Sequence, residues 1–202
     1  MKNFLIFPLV LLLYAGNNEI ADTRSKSLLS NAKYKAISSE SAIDLQGAWT
    51  SSETNELGEK ITITTIVIDG YLAETFYNQK TNAFVKTFGG YWTVKDSVFS
   101  LTQEFSSSDS SSVGKTRDLI FDLKGDTVTF KGSDKIWTRI DDGKHGELNG
   151  AWLISGRERD GAMQRRAPGD RKTMKILSGS RFQWIAYNTA TSKFSGTGGG
   201  TY

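Results

Sequence analysis

The chain of 202 residues contains no cysteine and a single histidine, His145. Without cysteine it can form no disulfide, thiolate nucleophile or cysteine-ligated metal site. One histidine is too few for a multi-histidine metal site, and no acidic pair lies in a recognisable acid/base motif. The composition therefore predicts a protein that is not an enzyme and that needs no cofactor.

The sequence also lacks a strong charge of one sign and an apolar run of membrane-spanning length. Its formal net charge of +3 is too small to indicate nucleic-acid binding. The apolar run at 4–14 has eleven residues, about half of the roughly 20 that a membrane-spanning helix needs. Lys2 precedes this run and the small residues Ala15 and Gly16 follow it, which is typical of a signal peptide. We predict a signal peptide at 1–21, export to the periplasm, cell surface or medium, and no membrane span in the mature form; a buried core helix or an uncleaved anchor is the alternative.

Short strand patterns dominate after a polar segment at 22–42, which we interpret as a linker or one short helix. The run ITITTIVI (61–68) is β-branched throughout and is followed by Asp-Gly, a strong hairpin signal. In all, eight strand patterns lie between residues 45 and 140, joined by short turns with no helix between them. We predict an all-β fold in which these strands close into an up-and-down barrel over 45–140; a two-sheet sandwich is the alternative.

Two segments of the chain recur at a similar spacing. LQGAW (45–49) returns 103 residues later as LNGAW, identical at four of five positions. YNQKTNAFVKTFGGYW (77–92) returns 110 residues later as YNTATSKFSGTGGGTY, with seven identities in sixteen. Internal duplication is indicated, with a linker at 141–147 and a second barrel at 148–202 that is truncated after about four strands. By the repeat offset, a complete second copy needs about 48 further residues; packing of the half copy against the first barrel, or pairing with another chain, is the alternative.

The LxGxW pattern at the first strand of an eight-stranded unit resembles the lipocalins of the calycin superfamily. Residues 45–202 as a whole are similar to exported lipocalin-like proteins of Bacteroidetes-type bacteria, which are mostly described only as membrane or secreted proteins of unknown function. The resemblance implies a barrel able to hold a small ligand and implies no reaction. It also implies a structural motif in which Gly47 and Trp49 meet a basic residue of the last strand, Arg139, with Gly150 and Trp152 as the counterparts in the second copy.

Two groups of residues are candidates for ligand binding. The first group is aromatic, and filling of the core is the alternative for it: Tyr77, Trp92, Trp184 and Tyr187. Alternation along a strand places Trp184 and Phe182 on one face and Tyr187 on the other. The second group lies in a basic tract whose counterpart in the first copy, SSETNELGEK (51–60), is acidic: Arg157, Arg165, Arg166 and Arg171.

Loops at the mouth of a barrel commonly carry its ligand specificity, so the basic tract could select the ligand. The alternative is a charged loop that is only solvated. We expect an exported protein that binds a small apolar or amphipathic molecule. The rival hypothesis is an envelope or secreted module that binds a polymer or a protein through its barrel loops.

Overall fold

A computed structural model describes residues 45–144, 146–165, 167 and 169–202. The predicted signal peptide, the polar segment, His145 and Arg166 lie outside these residues. The described part is all-β, with fourteen strands and one short 3-10 turn at Ser110–Ser112. No helix in this part of the chain is long and apolar enough to span a membrane.

The first eight strands form a closed antiparallel barrel in which each strand pairs with the next. Their bounds are β1 (Gly47–Thr54), β2 (Lys60–Ile68), β3 (Tyr71–Asn78), β4 (Phe84–Lys95), β5 (Val98–Ser106), β6 (Thr116–Lys124), β7 (Thr127–Phe130) and β8 (Ile136–Asp141). β8 closes the barrel by pairing with β1, which places Arg139 opposite Trp49. The predicted all-β barrel is confirmed, and the sandwich alternative is wrong because closure leaves neither β1 nor β8 with a free edge.

The hairpin between β2 and β3 has the turn that its sequence predicts. Asp69 and Gly70 connect the strands with φ values of 49° and 76°, the left-handed conformation that a two-residue turn of this type requires. Gly89 and Gly90 act differently, because the pairing of β4 with β5 shifts register between them. A Cβ on Gly90 would overlap the carbonyl oxygen of Thr102, so only glycine allows the strands to approach this closely.

The barrel interior is filled by large apolar side chains. They form one buried cluster, which contains Leu45, Trp49, Ile61, Ile63, Val67, Leu72, Phe76, Trp92, Val94, Phe99, Leu101, Phe121, Val128 and Trp137. These positions recur at every second residue of each strand, as expected when one face of a sheet is buried. Burial of each such side chain stabilises the fold by about 1.5–3 kcal/mol.

The rest of the described chain forms six further strands. Their bounds are β9 (Gly150–Leu153), β10 (Gly156–Arg159), β11 (Ala162–Arg165), β12 (Arg171–Leu177), β13 (Arg181–Asn188) and β14 (Lys193–Thr201). β10 and β11 form a separate two-stranded hairpin. The other four form an open sheet in the order β14-β13-β12-β9, which we call the C-terminal sheet.

Strand pairing in the C-terminal sheet has the same register as in the first four strands of the barrel. Ile66 lies opposite Ala73 where β2 meets β3. Where β12 meets β13, Ile176 lies opposite Gln183. Ile176 follows Ile66 by 110 positions, and Gln183 follows Ala73 by the same number. β3 and β4 change register after Phe76, and β13 and β14 change register 110 residues later, after Ala186.

The first strands of the two segments also share one side-chain contact. The indole Nε1 of Trp49 donates to the carbonyl oxygen of Leu45 at 2.9 Å. The indole Nε1 of Trp152 donates to that of Leu148 at 2.9 Å. The two segments therefore share a local architecture over four strands.

The C-terminal sheet packs with its apolar face against the outside of the barrel. The contact forms a second buried cluster, with Ile66, Ile68, Ala73 and Phe105 from the barrel and Met174, Ile176, Ile185 and Tyr187 from the sheet. Within the described residues the sheet stays open. Packing of the segment after the linker against the first barrel is therefore present in the described residues.

Replacement of Ile185 by Ala should destabilise the protein by about 2–4 kcal/mol, because it leaves a cavity where the sheet meets the barrel. Ile185 is fully buried. The matched control is Ile154→Ala, because Ile154 is 54% exposed, and its effect should stay within about 0.5 kcal/mol. Urea unfolding followed by circular dichroism measures both changes. Equal effects of the two substitutions would show that the sheet is not held by this contact.

Candidate ligand site at the barrel mouth

One end of the barrel is closed by the side chain of Trp49. The guanidinium of Arg139 lies over the indole, with its Cζ 4.1 Å from the ring centroid. Such a cation–π contact is worth on the order of 1 kcal/mol. Arg139 also donates from Nη1 to the carbonyl oxygen of Gln46 at 2.7 Å and pairs through Nε with Asp126 at 3.1 Å. The contact that the lipocalin resemblance implies is thus present, and it seals this end.

A carboxyl group lies inside the opposite half of the barrel. Glu74 alternates along β3 with Leu72 and Phe76, both of which belong to the interior cluster. It lies opposite Thr65 of β2 and Phe88 of β4. The Thr65 hydroxyl donates to Glu74 Oε2 at 3.2 Å, so the inner face carries an acid among aromatic and apolar groups.

Three cations surround two phenylalanine rings near this carboxyl. The rings of Phe76 and Phe88 have centroids 6.0 Å apart. Lys86 Nζ lies 4.5 Å from the Phe76 centroid and Lys135 Nζ lies 6.0 Å from it. Arg117 Cζ lies 5.9 Å from the Phe88 centroid. We call these residues the mouth cup, consisting of Glu74, Phe76, Lys86, Phe88, Arg117 and Lys135.

The cations of the mouth cup are unequally neutralised. Lys135 forms an ion pair with Glu53 of β1. Neither Lys86 nor Arg117 has an ion-pair partner among the described residues. Two positive charges therefore lie beside the aromatic rings at this end of the barrel.

The protonation of Glu74 is set by its surroundings. Burial raises the pKa of Glu74 to about 7, although the hydrogen bond from Thr65 and the charges of Lys135, Arg117 and Lys86 lower it. Burial disfavours the charged carboxylate because a low-dielectric interior solvates it poorly. The charge of the mouth cup therefore changes near neutral pH.

The interior beneath the mouth cup is occupied by core side chains. Trp92, a predicted ligand residue, stacks on Phe99 with a centroid distance of 5.5 Å and an interplanar angle of 13°. Its Nε1 donates to the carbonyl oxygen of Tyr71 at 3.0 Å. Trp92 is thus part of the core, and side chains fill the interior below the mouth cup.

Tyr187, another predicted ligand residue, joins the C-terminal sheet to the barrel. It is buried and donates its hydroxyl to Glu104 Oε2 at 2.6 Å. Glu104 also forms an ion pair with Lys172. The Tyr187 ring packs on Phe105 at a centroid distance of 5.1 Å. Burial and the Glu104 carboxylate raise the pKa of Tyr187, so its hydroxyl stays a donor in this contact.

Trp184 and Trp152 lie on the solvent-facing side of the C-terminal sheet. Trp184 is 39% exposed while Tyr187 is buried, so the predicted division of β13 into two faces is confirmed. Trp152 is 53% exposed, whereas its counterpart Trp49 is buried. Its face corresponds to the interior face of β1, but no described strand covers it.

The described arginines of the basic tract do not all lie on one face. Arg157 lies opposite Gln164, and Arg165 lies opposite Gly156 in the next pair of the hairpin. Neighbouring pairs in a sheet point to opposite faces, so Arg157 and Arg165 diverge, and both are exposed. Arg171 begins β12.

Gly150, the predicted counterpart of Gly47, begins β9 with a φ of 136°, a conformation that favours glycine.

The charged residues of the mouth cup were missed by the sequence reasoning. The inward direction of Glu74 could have been predicted, because Glu74 alternates along β3 with the apolar residues Leu72 and Phe76. The sequence contains no pattern that brings Lys86 and Arg117 together, since they lie on different strands and approach each other only when the barrel closes.

Replacement of Glu74 by Gln should stabilise the protein at pH 8 and have little effect at pH 4. The folded-state pKa of about 7 lies above the ordinary value of 4.5, so wild-type stability declines as pH rises between these values. Removal of the titrating group should recover on the order of 1–3 kcal/mol above pH 7. Urea unfolding from pH 4 to 8 measures the difference, with the exposed Glu56→Gln as control. A difference between Glu74→Gln and wild type that does not vary with pH would contradict the assignment.

No protein-family model, no curated protein and no solved structure is significantly similar to this chain. The function therefore has to be argued from the geometry of the chain itself. The mouth cup is the arrangement that bears most directly on it, because it brings cations without an ion-pair partner among the described residues together with two aromatic rings at one end of the barrel.

Proposed function

We propose that this protein is a lipocalin-like binding protein that takes a small amphipathic anion at the mouth of its barrel. The observation that carries the proposal is the arrangement of three cations around the Phe76–Phe88 ring pair. The cations of Lys86 and Arg117 suit an anionic head group, and the two rings suit an apolar body. Both requirements of an amphipathic anion are met within one small site.

Electrostatics favours an anion at this position. Charges of one sign at the rim of a low-dielectric cleft focus the potential and raise the local concentration of counter-ions. The planar guanidinium of Arg117 can bind a carboxylate or sulfonate through two parallel hydrogen bonds. The apolar part of the ligand would lie against Phe76 and Phe88, because core side chains occupy the interior below.

Glu74 would make this binding depend on pH. A charged carboxylate beneath the rings repels an incoming anion, whereas a protonated carboxyl does not. Because the pKa of Glu74 is raised to about 7, protonation and anion binding are linked in the neutral range.

We also propose that the protein is exported and that residues 148–202 are a second copy of the first four strands of the lipocalin-like unit. The signal-peptide pattern at 1–21 supports export. The recurring LxGxW motif and the shared strand registers support the repeat. A second candidate function, binding of an anionic polymer or protein by the mouth loops, is favoured by the filled interior.

The double substitution Lys86→Gln/Arg117→Gln should weaken binding of 1-naphthalenesulfonate by about tenfold or more, because it removes both unpaired cations. Isothermal titration calorimetry at low and high ionic strength measures the affinity, and added salt should weaken binding to the wild type. The uncharged analogue 1-naphthalenemethanol should bind more weakly than the sulfonate and should be insensitive to the substitution.

A matched control uses the opposite end of the same two strands. Lys95 and Lys124 end β4 and β6 at the closed end of the barrel. Lys95→Gln/Lys124→Gln therefore changes the net charge equally without touching the mouth cup. If both double variants lose the same affinity, or if the wild type binds only a polyanion and not the sulfonate, the small-ligand proposal fails.

The affinity for 1-naphthalenesulfonate should rise as pH falls from 8 to 6, because Glu74 loses its charge over this interval. Glu74→Gln should bind with one affinity across the range, close to that of the wild type at pH 6. Calorimetric titrations at several pH values measure both. An unchanged pH dependence in Glu74→Gln would assign the effect to another group.

A further inference from the structure

A second carboxylate, that of Glu53, lies on the inner face of the barrel at its mouth. Glu53 is on β1, directly opposite Ile61 of β2, and Ile61 belongs to the interior cluster. Residues that lie opposite each other in an antiparallel pair point to the same side of the sheet. Alternation along β1 gives the same direction, because Trp49 is four residues earlier and is also in that cluster. Glu53 therefore faces the interior, as Glu74 does.

Lys135 connects Glu53 to the mouth cup. Lys135 lies in the turn before β8, two residues before Trp137 of the interior cluster. Its ammonium forms an ion pair with Glu53 of β1 and lies 6.0 Å from the ring centroid of Phe76 on β3. One side chain thus contacts β1 and approaches β3, with β2 between them. The ammonium group is therefore on the inner side of the mouth, beside the ring on which a ligand would lie.

The ion pair between Lys135 and Glu53 is accessible to water. The exposed fraction of the side chain is 36% for Lys135 and 29% for Glu53. Ion pairs with this much exposure contribute little to stability, because solvent screens the charges and two long side chains lose rotamer freedom. An incoming anion can therefore replace Glu53 as the partner of Lys135 at small cost.

The cations of the mouth cup differ in what a ligand must do to reach them. Lys86 Nζ lies 4.5 Å from the Phe76 centroid, so the ammonium groups of Lys86 and Lys135 are both within 6.0 Å of one ring centroid. Arg117 lies beside the adjacent ring, Phe88. A ligand with one negative charge can bind to Lys86 or Arg117 without disturbing an ion pair. A further negative charge is needed to take the place of the Glu53 carboxylate on Lys135.

From this arrangement we propose that Lys135 exchanges Glu53 for a second anionic group of the ligand, so that the mouth cup prefers an amphipathic dianion to a monoanion. The exchange rests on the proposed function, binding of an amphipathic anion at the mouth cup, and it narrows the ligand class. Glu53 acts as an internal competitor that neutralises Lys135 in the free protein. A dianion displaces this competitor because it brings the replacement charge with it, whereas a monoanion leaves Lys135 paired.

The preference can be measured by calorimetric titration of the full chain with 1-naphthalenesulfonate and with 1,5-naphthalenedisulfonate. These two probes share one ring system and differ by one charged group. The titrations are made at pH 6, where the carboxyl of Glu74, with its pKa of about 7, is mostly uncharged. The wild type should bind the disulfonate about tenfold more tightly than the sulfonate, because only the disulfonate gains an ion pair with Lys135.

Lys135→Gln should reduce this preference to about twofold or less, while the affinity for the sulfonate should change by no more than about twofold. The matched control is Lys131→Gln, which removes an exposed cation of the same turn and should keep the preference. The two variants have the same net charge, so a difference between them identifies the contact of Lys135 with the ligand.

Glu53→Gln should strengthen binding of the disulfonate by about threefold to fivefold, because Lys135 then has no competing partner. Glu56→Gln, which removes an exposed carboxylate of the turn between β1 and β2, should have a much smaller effect. Combined with Lys135→Gln, the Glu53→Gln substitution should lose most of its effect. Such coupling is expected when the two residues act through one contact, and a merely structural ion pair would not produce it in ligand affinity.

Equal reduction of the preference by Lys135→Gln and Lys131→Gln would overturn the exchange, because net charge would then explain it. A Glu53→Gln variant that binds the disulfonate no more tightly than the wild type would also overturn it. If the wild type binds the sulfonate but shows no preference for the disulfonate, only the exchange fails. If it binds neither probe, the proposed function fails as well.

Discussion

Burial of apolar surface between the barrel and the C-terminal sheet is the contact on which the rest of the structure depends. The barrel presents Ile66 and Ile68 on its outer face, and the open sheet presents Ile176 and Ile185. Neither face is compatible with full exposure to water, because each would leave a contiguous apolar patch. Packing the two faces together removes both patches at once and fixes the position of the C-terminal sheet on the barrel.

Polar groups within this contact give it a defined orientation. Glu104 accepts a hydrogen bond from Tyr187 and pairs with Lys172. Near the closed end, the Asp141 carboxylate accepts from the hydroxyl of Ser180 at 2.6 Å and the backbone N–H of Gly179 at 3.1 Å. These and further donors hold the pKa of Asp141 below its usual range, although burial opposes them. No buried side-chain nitrogen or oxygen of the described residues lacks a partner, so the contact avoids the cost of unpaired buried polar groups.

The same packing separates the structural cations from those available for binding. Lys172 is neutralised by Glu104 at the contact, and Arg139 is held on Trp49 at the closed end. Lys86 and Arg117 remain at the mouth, where ring faces rather than carboxylates accept them. Ring faces attract cations far less strongly than an anion does in the same setting. The mouth therefore keeps two cations that no carboxylate of the described residues pairs with, whereas Lys172 has such a partner.

The sequence by itself determined the eight strands of the barrel region and the Asp69-Gly70 hairpin, because side-chain alternation and turn chemistry are local properties. It favoured a barrel but left a sandwich open, and only the pairing of β8 with β1 decided between them. It also indicated that Trp184 and Tyr187 lie on opposite faces of one strand. Alternation does not say which face is covered, so only the tertiary structure decided that Tyr187 is buried and that Trp152 is exposed. It also decided the mouth cup, because Glu74, Lys86 and Arg117 come from three strands whose side chains approach one another only when the sheet curves and closes. Charge and burial at such a site are set by neighbours distant in sequence, and closure of the barrel is the physical event that brings them together.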